Sequence, residues 1–255
     1  MNTLSVQCTL YLTAPTTFSG LIGQARPFDA IKDCDGPTTL TLIYNPNAAP
    51  KYGGFKKALF GHLSRPVISD STSSSVCIKQ CWYTSKASGT CLVYDNLMQI
   101  TKLSAEINCL RWASALMGIV YNFINKHITR HGEPPFPIPK MRFVKNALAI
   151  ADTTHDTYML EELIDEAVQG AFVKYIGNGS VKPFEFTDDG AAYRAGFLVF
   201  CQHVQYLKTK GLVFIGDFQG ESISSNYPDV VLRFGFFRRK LSVDGSPNNN
   251  CIVCF

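Results

Sequence analysis

The stretch QHVQYLKTKGLVFIGDFQG, residues 202–220, closes on the run that decides how this chain is read. Residues 211–216 are apolar and bounded by Gly211 and Gly216, which predicts a short buried strand. Asp217-Phe218-Gln219-Gly220 follows at its C-terminal end. Side chains two apart on an extended chain point to one side, so Asp217 and Gln219 are expected to share a face while Phe218 anchors the other. Paired oxygen donors ahead of a turn glycine suit Mg²⁺, which favours oxygen ligands and substrate phosphates. A plain strand-to-turn junction with a capping Asp reads the same way.

Upstream of this run the pattern predicts a helix over 189–209, with Thr187 or Asp188 able to cap it. Extended segments are expected at 4–12, 38–44, 76–83 and 91–94, and again at 141–150, 157–164 and 171–176. Between the two groups runs a second helix, about 101–130. Its apolar steps of three and four pass through Leu103, Ile107, Leu110, Ser114, Met117, Phe123 or Ile124, and Ile128. HGEPPFPIP at 131–139 stops it, and its Pro-x-x-P reads as a rigid crossover rather than a ligand motif. SDSTSSS at 69–75 reads as a loop tip. Strands, one long helix, a proline-rich crossing and a mixed half are compatible with an α+β chain in two lobes.

Composition narrows the class. With 46% hydrophobic and 17% charged residues the chain is an ordinary globular protein, and its 255 residues can bury a sizeable core. A net charge of +4 is too mild to argue for a nucleic acid or a membrane surface. No apolar run approaches the ~20 residues that span a bilayer. The N-terminal MNTLSVQCTLYL has no basic n-region or cleavage site. Nine cysteines at irregular spacings form no evident disulfide framework and fit free thiols. A cytoplasmic location is the expectation.

Several motifs share one order with the D-x-Q-G run: VCIKQ at 76–80, YMLEELI at 158–164, FVKYIGN at 172–178, and His203 upstream of Asp217. Together they resemble the alpha-type protein kinases, the family of myosin heavy chain kinase and elongation factor 2 kinase. The resemblance covers residues 50–220. It implies a two-lobed, protein-kinase-like α+β fold with a β-rich N-lobe and a mixed C-lobe. Residues 1–49 would supply N-terminal strands or an extension of the N-lobe, and 221–255 a divergent tail. The implied activity is transfer of the γ-phosphoryl group of Mg·ATP to Ser or Thr of a protein substrate. A catalytically degenerate ATP-binding pseudokinase, or an interaction module, is the alternative.

Each candidate residue has a local reading beside the implied one. Lys79 lies mid-strand with Cys77 and Cys81 on its own face, and an ammonium there needs a partner or a route to water. The resemblance makes it the lysine that holds ATP phosphates, with Glu106 of the long helix as ion-pair partner. Gly53-Gly54-Phe55-Lys56-Lys57-Ala58 matches the family segment that folds over the phosphates, where adjacent glycines let backbone N–H groups approach an anion. Glu161 matches the adenine-side acid. Of the consecutive Glu161 and Glu162, one is expected to face solvent. Lys174 and Asn178 match positions that reach phosphate and the metal region, though a strand ending in an Asn-Gly turn looks the same.

The pattern departs from the family after Gly220. The resemblance makes His203 a ligand of a structural zinc, whereas a lone helix histidine is also a common core or boundary residue. Zinc takes four ligands. Asn249 stands where a second His is expected, and Cys251 and Cys254 are three apart where the family has four, so an intact zinc site is not expected. The family's catalytic aspartate falls ten residues beyond Asp217, at Tyr227, with Asp229 two residues later as the displaced candidate. Arg233, Arg238, Arg239 and Lys240 interleave with Phe234, Phe236 and Phe237, which reads as an amphipathic packing segment with a solvated basic face rather than a site for an anionic partner.

Overall fold

A computed structural model describes residues 2–68, 73–163, 172–177, 180–221 and 229–239; at 221 and over 229–239 only the backbone is described, except at Leu232. The chain is mixed α+β and divides into two compact units. One comprises Met1–Ala14, Ala25–Asn108 and Lys145–Leu163, the other Pro15–Gln24, Cys109–Val144 and Ile164–Phe255.

The first unit is built on a closed barrel. Six antiparallel strands take part: β1 (Leu4–Thr13), β2 (Cys34–Tyr44), β4 (Lys56–Leu63), β5 (Ser75–Thr84), β8 (Asn146–Ala151) and β9 (Thr157–Glu162). Their order is β4-β2-β1-β8-β9-β5, and β5 pairs back onto β4 to close the ring. Short strands β3 (Lys51–Tyr52) and β6 (Cys91–Val93) flank it. Closure leaves the six strands with no open edge, and strand alternation fills the interior with side chains. Cys8, Leu10, Leu40, Leu42, Val76, Ile78 and Leu160 meet there with Ala147, Ala149 and Ala151 of β8. Three alanines at alternate positions suit so narrow a ring. Gly61 is required for the same reason: a Cβ would lie 2.7 Å from Ile43 O and 2.9 Å from Ile78 Cδ1.

Helix α2 (Asn96–His131) starts five residues before the expected point because Asp95 caps it, its Oδ1 accepting from Met98 N at 2.9 Å. It ends where Gly132, at φ 86°, donates to Ile128 O. Its buried stripe runs through Leu103, Ile107, Leu110, Ala113, Leu116, Val120 and Ile124. Ser114, expected on that stripe, is exposed instead. At 3.6 residues per turn the stripe moves to Ala113 and Leu116, which bury without a polar atom to satisfy.

The second unit carries a four-stranded sheet ordered β10-β11-β12-β7: β10 (Phe172–Lys174), β11 (Val213–Glu221), β12 (Asp229–Arg239) and β7 (Lys140–Phe143). Only the β12–β7 pair is parallel. Residues 141–150 therefore do not form one extended segment. Val144 N donates to Leu232 O, whereas Lys145 N donates to Glu162 Oε1, so consecutive residues find partners in different sheets. The proline-rich crossing is held by tyrosines, Tyr121 Oη donating to Pro139 O and Tyr193 Oη to Pro137 O. Residues 229–239, expected in a divergent tail, provide an inner strand of this sheet.

Helix α1 (Phe18–Ile22) is short, and α3 (Asp189–Lys208) takes Asp188 as its cap, through a 2.6 Å bond from Ala191 N. Gln202 and Gln205 of α3 bind the backbone of Ile215, Nε2 of the first donating to its carbonyl and Oε1 of the second accepting from its N–H. His203 projects from the opposite, exposed side with Phe200 and Leu207, so it is not a core histidine. Among the described residues no helix is long and apolar enough to cross a membrane. Cys8, Cys34, Cys77, Cys81, Cys91 and Cys201 are free thiols, but Cys109 is disulfide-bonded, against the expectation for it.

Candidate functional site

The first charged cluster lies on the outside of the barrel. Alternation along β5 sends Val76 and Ile78 into the barrel and leaves Cys77, Lys79 and Cys81 on the other face. Lys56 stands opposite Cys81, and Glu161 opposite Cys77, so both share the face of Lys79. Lys79 Nζ lies 2.5 Å from Glu161 Oε2, with the two side chains 14% and 3% exposed. Glu106 of α2 pairs with Lys56, not with Lys79 as expected. Lys79 takes Glu161 instead. Lys79 and Glu161 are diagonal neighbours on paired strands yet 82 residues apart in sequence, so the sequence alone does not show them together.

The face is crowded with charge. Burial, reinforced by the nearby Lys79 ammonium, brings the Lys56 amine from 10.5 down to about 8, while the Glu161 carboxylate opposes that fall. Glu162 is buried as well as Glu161, which overturns the expectation that one of them faces water. It stays inside because its Oε1 accepts the Lys145 N–H at 2.8 Å.

Gln99, on this face, has no sequence signal, whereas the turn at Gly53 and Gly54 does. Gln99 of α2 is fully buried, accepts the Cys81 N–H at 2.9 Å and donates to the Cys81 carbonyl at 2.6 Å. Its amide thus stands in for a neighbouring strand two residues from Lys79. Gly53 and Gly54 form the turn between β3 and β4, where Gly53 N donates to Lys56 O and Gly53 O accepts the Trp82 indole N–H.

The second cluster belongs to the other unit. Lys174 stands directly opposite Gln219, and its Nζ lies 2.7 Å from Asp217 Oδ1. Lys174, Gln219 and Asp217 therefore meet on one face, as the i, i+2 spacing predicts, while Phe218 is fully buried. The strand does not stop there. β11 continues to Glu221, and Gly220, expected in a turn, sits between Val173 and Leu232 of the flanking strands. The departure from regular geometry is at Asp217 itself, whose φ is 53° in mid-strand. A left-handed non-glycine residue there is strained by roughly 1–2 kcal/mol.

Asp217 is 8% exposed, and its Oδ1 has the Lys174 ammonium beside it but no aligned hydrogen bond. A buried carboxylate with unspent acceptor capacity next to a carboxamide fits a hard dication that takes oxygen ligands. Among the described residues no three His, Cys, Asp or Glu side chains converge, so a dication here would complete its shell from Gln219, water or a phosphate. Of the other expected site residues, His203 is exposed, Asp229 begins β12 as described backbone, and Asn178, Tyr227, Asn249, Cys251 and Cys254 lie outside the described residues.

No protein-family model matches this chain, and no curated protein matches it.

Proposed function

We propose that the chain is an ATP-dependent serine/threonine protein kinase of the alpha type, with a two-lobed kinase-like arrangement and a cytoplasmic location. The observation that carries this reading is Asp217: strained, buried, and facing Gln219 and Lys174 where the D-x-Q-G resemblance asks for a metal-binding carboxylate. Strain of this kind persists where the surrounding structure holds it, and such residues cluster at functional sites. Lys79, withdrawn from water and held by one carboxylate, supports the reading from the other unit.

In this reading Asp217 and Gln219 hold Mg²⁺, Lys79 and Lys56 meet phosphate, Glu161 lies on the adenine side, and Lys174 with Asn178 lines the phosphate rim. The ion, when bound, neutralises charge on the transferring phosphoryl group. Lys79 would exchange one anionic partner, Glu161, for another. Gly53 and Gly54 would close over the phosphates.

Titrating a fluorescent ATP analogue with and without Mg²⁺ tests this. The expected result is Mg²⁺-dependent binding weakened at least tenfold in Lys79→Ala. Binding that is absent, or indifferent to Lys79, sinks the nucleotide reading and leaves an interaction module.

Tyr227 favours the second reading, a degenerate kinase. Its phenol has a reference pKa of about 10, so it does not replace a carboxylate as general base near neutral pH. General-base contributions are typically ~10²–10⁴-fold, which sets the expected deficit. Tyr227→Asp is expected to raise phosphate transfer to a basic protein at least tenfold. Brisk transfer by the unaltered chain, abolished in Asp229→Ala, would instead make Asp229 the base.

A further inference from the structure

From the last turns of α2 we infer a binding site for a first-row transition-metal dication, held by His127 and His131. Residues four apart on a helix are neighbours on one face, and these two imidazoles have ring centroids 4.4 Å apart with planes tilted by 33°. Both side chains are exposed, and neither ring has an ion pair or a hydrogen bond among the described residues. Two imidazoles side by side, with ring nitrogens open to solvent, can form a bidentate chelate. Metal–nitrogen bonds of about 2.0–2.1 Å place the two donor atoms roughly 3 Å apart, and small rotations of exposed rings at this centroid distance reach that separation.

Imidazole suits Zn²⁺, Ni²⁺ and Cu²⁺ and discriminates against Mg²⁺ and Ca²⁺, which want oxygen. The site is therefore chemically separate from the carboxylate and carboxamide at Asp217 and Gln219. Among the described residues no third His, Cys, Asp or Glu joins the pair, so water would fill the remaining positions and leave them exchangeable. The ligands bridge one helical turn, so metal binding stabilises the C-terminal end of α2, where Gly132 ends the helix.

Calorimetric titration of the full chain with NiCl₂ tests this. One Ni²⁺ per chain is expected, weakened at least tenfold in His127→Ala and in His131→Gln. Both positions are exposed, so thermal unfolding without metal should match the unaltered protein and show that the variants fold. Ni²⁺ binding that survives in the double variant, or a titration of the unaltered chain indistinguishable from it, overturns the site.

Discussion

Glu161→Gln is expected to destabilise the protein by about 3–5 kcal/mol, read as a fall in the urea midpoint at unchanged slope. The carboxylate is 3% exposed and lies 2.5 Å from an ammonium that is itself 14% exposed. Removing its charge strands Lys79 on the outer face of the barrel, between Cys77 and Cys81 and beside a second ammonium on Lys56. Lys79→Met is expected to cost a similar amount by removing the ammonium 2.5 Å from the buried Glu161 carboxylate. The double change Lys79→Met with Glu161→Leu should cost less than either single change, because an ion pair taken from water as a unit is often no better than apolar groups of like volume. A double-mutant cycle separates these outcomes. Singles that cost under 1 kcal/mol would show that water reaches the pair, and the argument for a withdrawn Lys79 would fall with them.

That pair marks where sequence reading stops. The face of Lys79 was legible, because alternation on β5 needs only neighbouring residues. Its partner was not, since Glu161 arrives through the register of β9 and Glu106 is taken by Lys56 across β4. Local signals place elements and caps: Asp188 ahead of α3 and the glycine after α2 act at the distance of one turn. Barrel closure is a non-local pairing of β4 with β5 around the ring, and nothing in the run KKALFGHL announces it except the glycine that lets Ile78 in. Residues 141–150 show the converse failure. The apolar pattern is continuous, yet the chain changes sheets between Val144 and Lys145, and periodicity carries no mark of that change. Gln99, Gln202 and Gln205 complete backbone hydrogen bonding from helices, and a lone glutamine in a helical pattern gives no warning of such work.

At Asp217 the shared face was legible from spacing but the strain was not, and the strain makes the sharper test. A carboxylate kept for packing should stabilise the fold, whereas one kept for a ligand is retained against a conformational penalty. Asparagine tolerates the left-handed region about as well as aspartate, and glycine tolerates it better. The ion pair to Lys174 adds little in the free protein, because that lysine side chain is 44% exposed. Asp217→Asn and Asp217→Gly are therefore expected to leave stability within about 1 kcal/mol of the unaltered protein, glycine's gain in strain being offset by its greater freedom when unfolded. The same variants should lose Mg²⁺-dependent nucleotide binding by roughly a hundredfold, since a neutral carboxamide is a poor replacement for the one carboxylate of an oxygen site. Chemical denaturation and analogue titration on the same preparations read the two effects apart. Loss of several kcal/mol of stability with Mg²⁺ dependence intact would make Asp217 a structural residue, and the kinase reading would lose the observation that carries it.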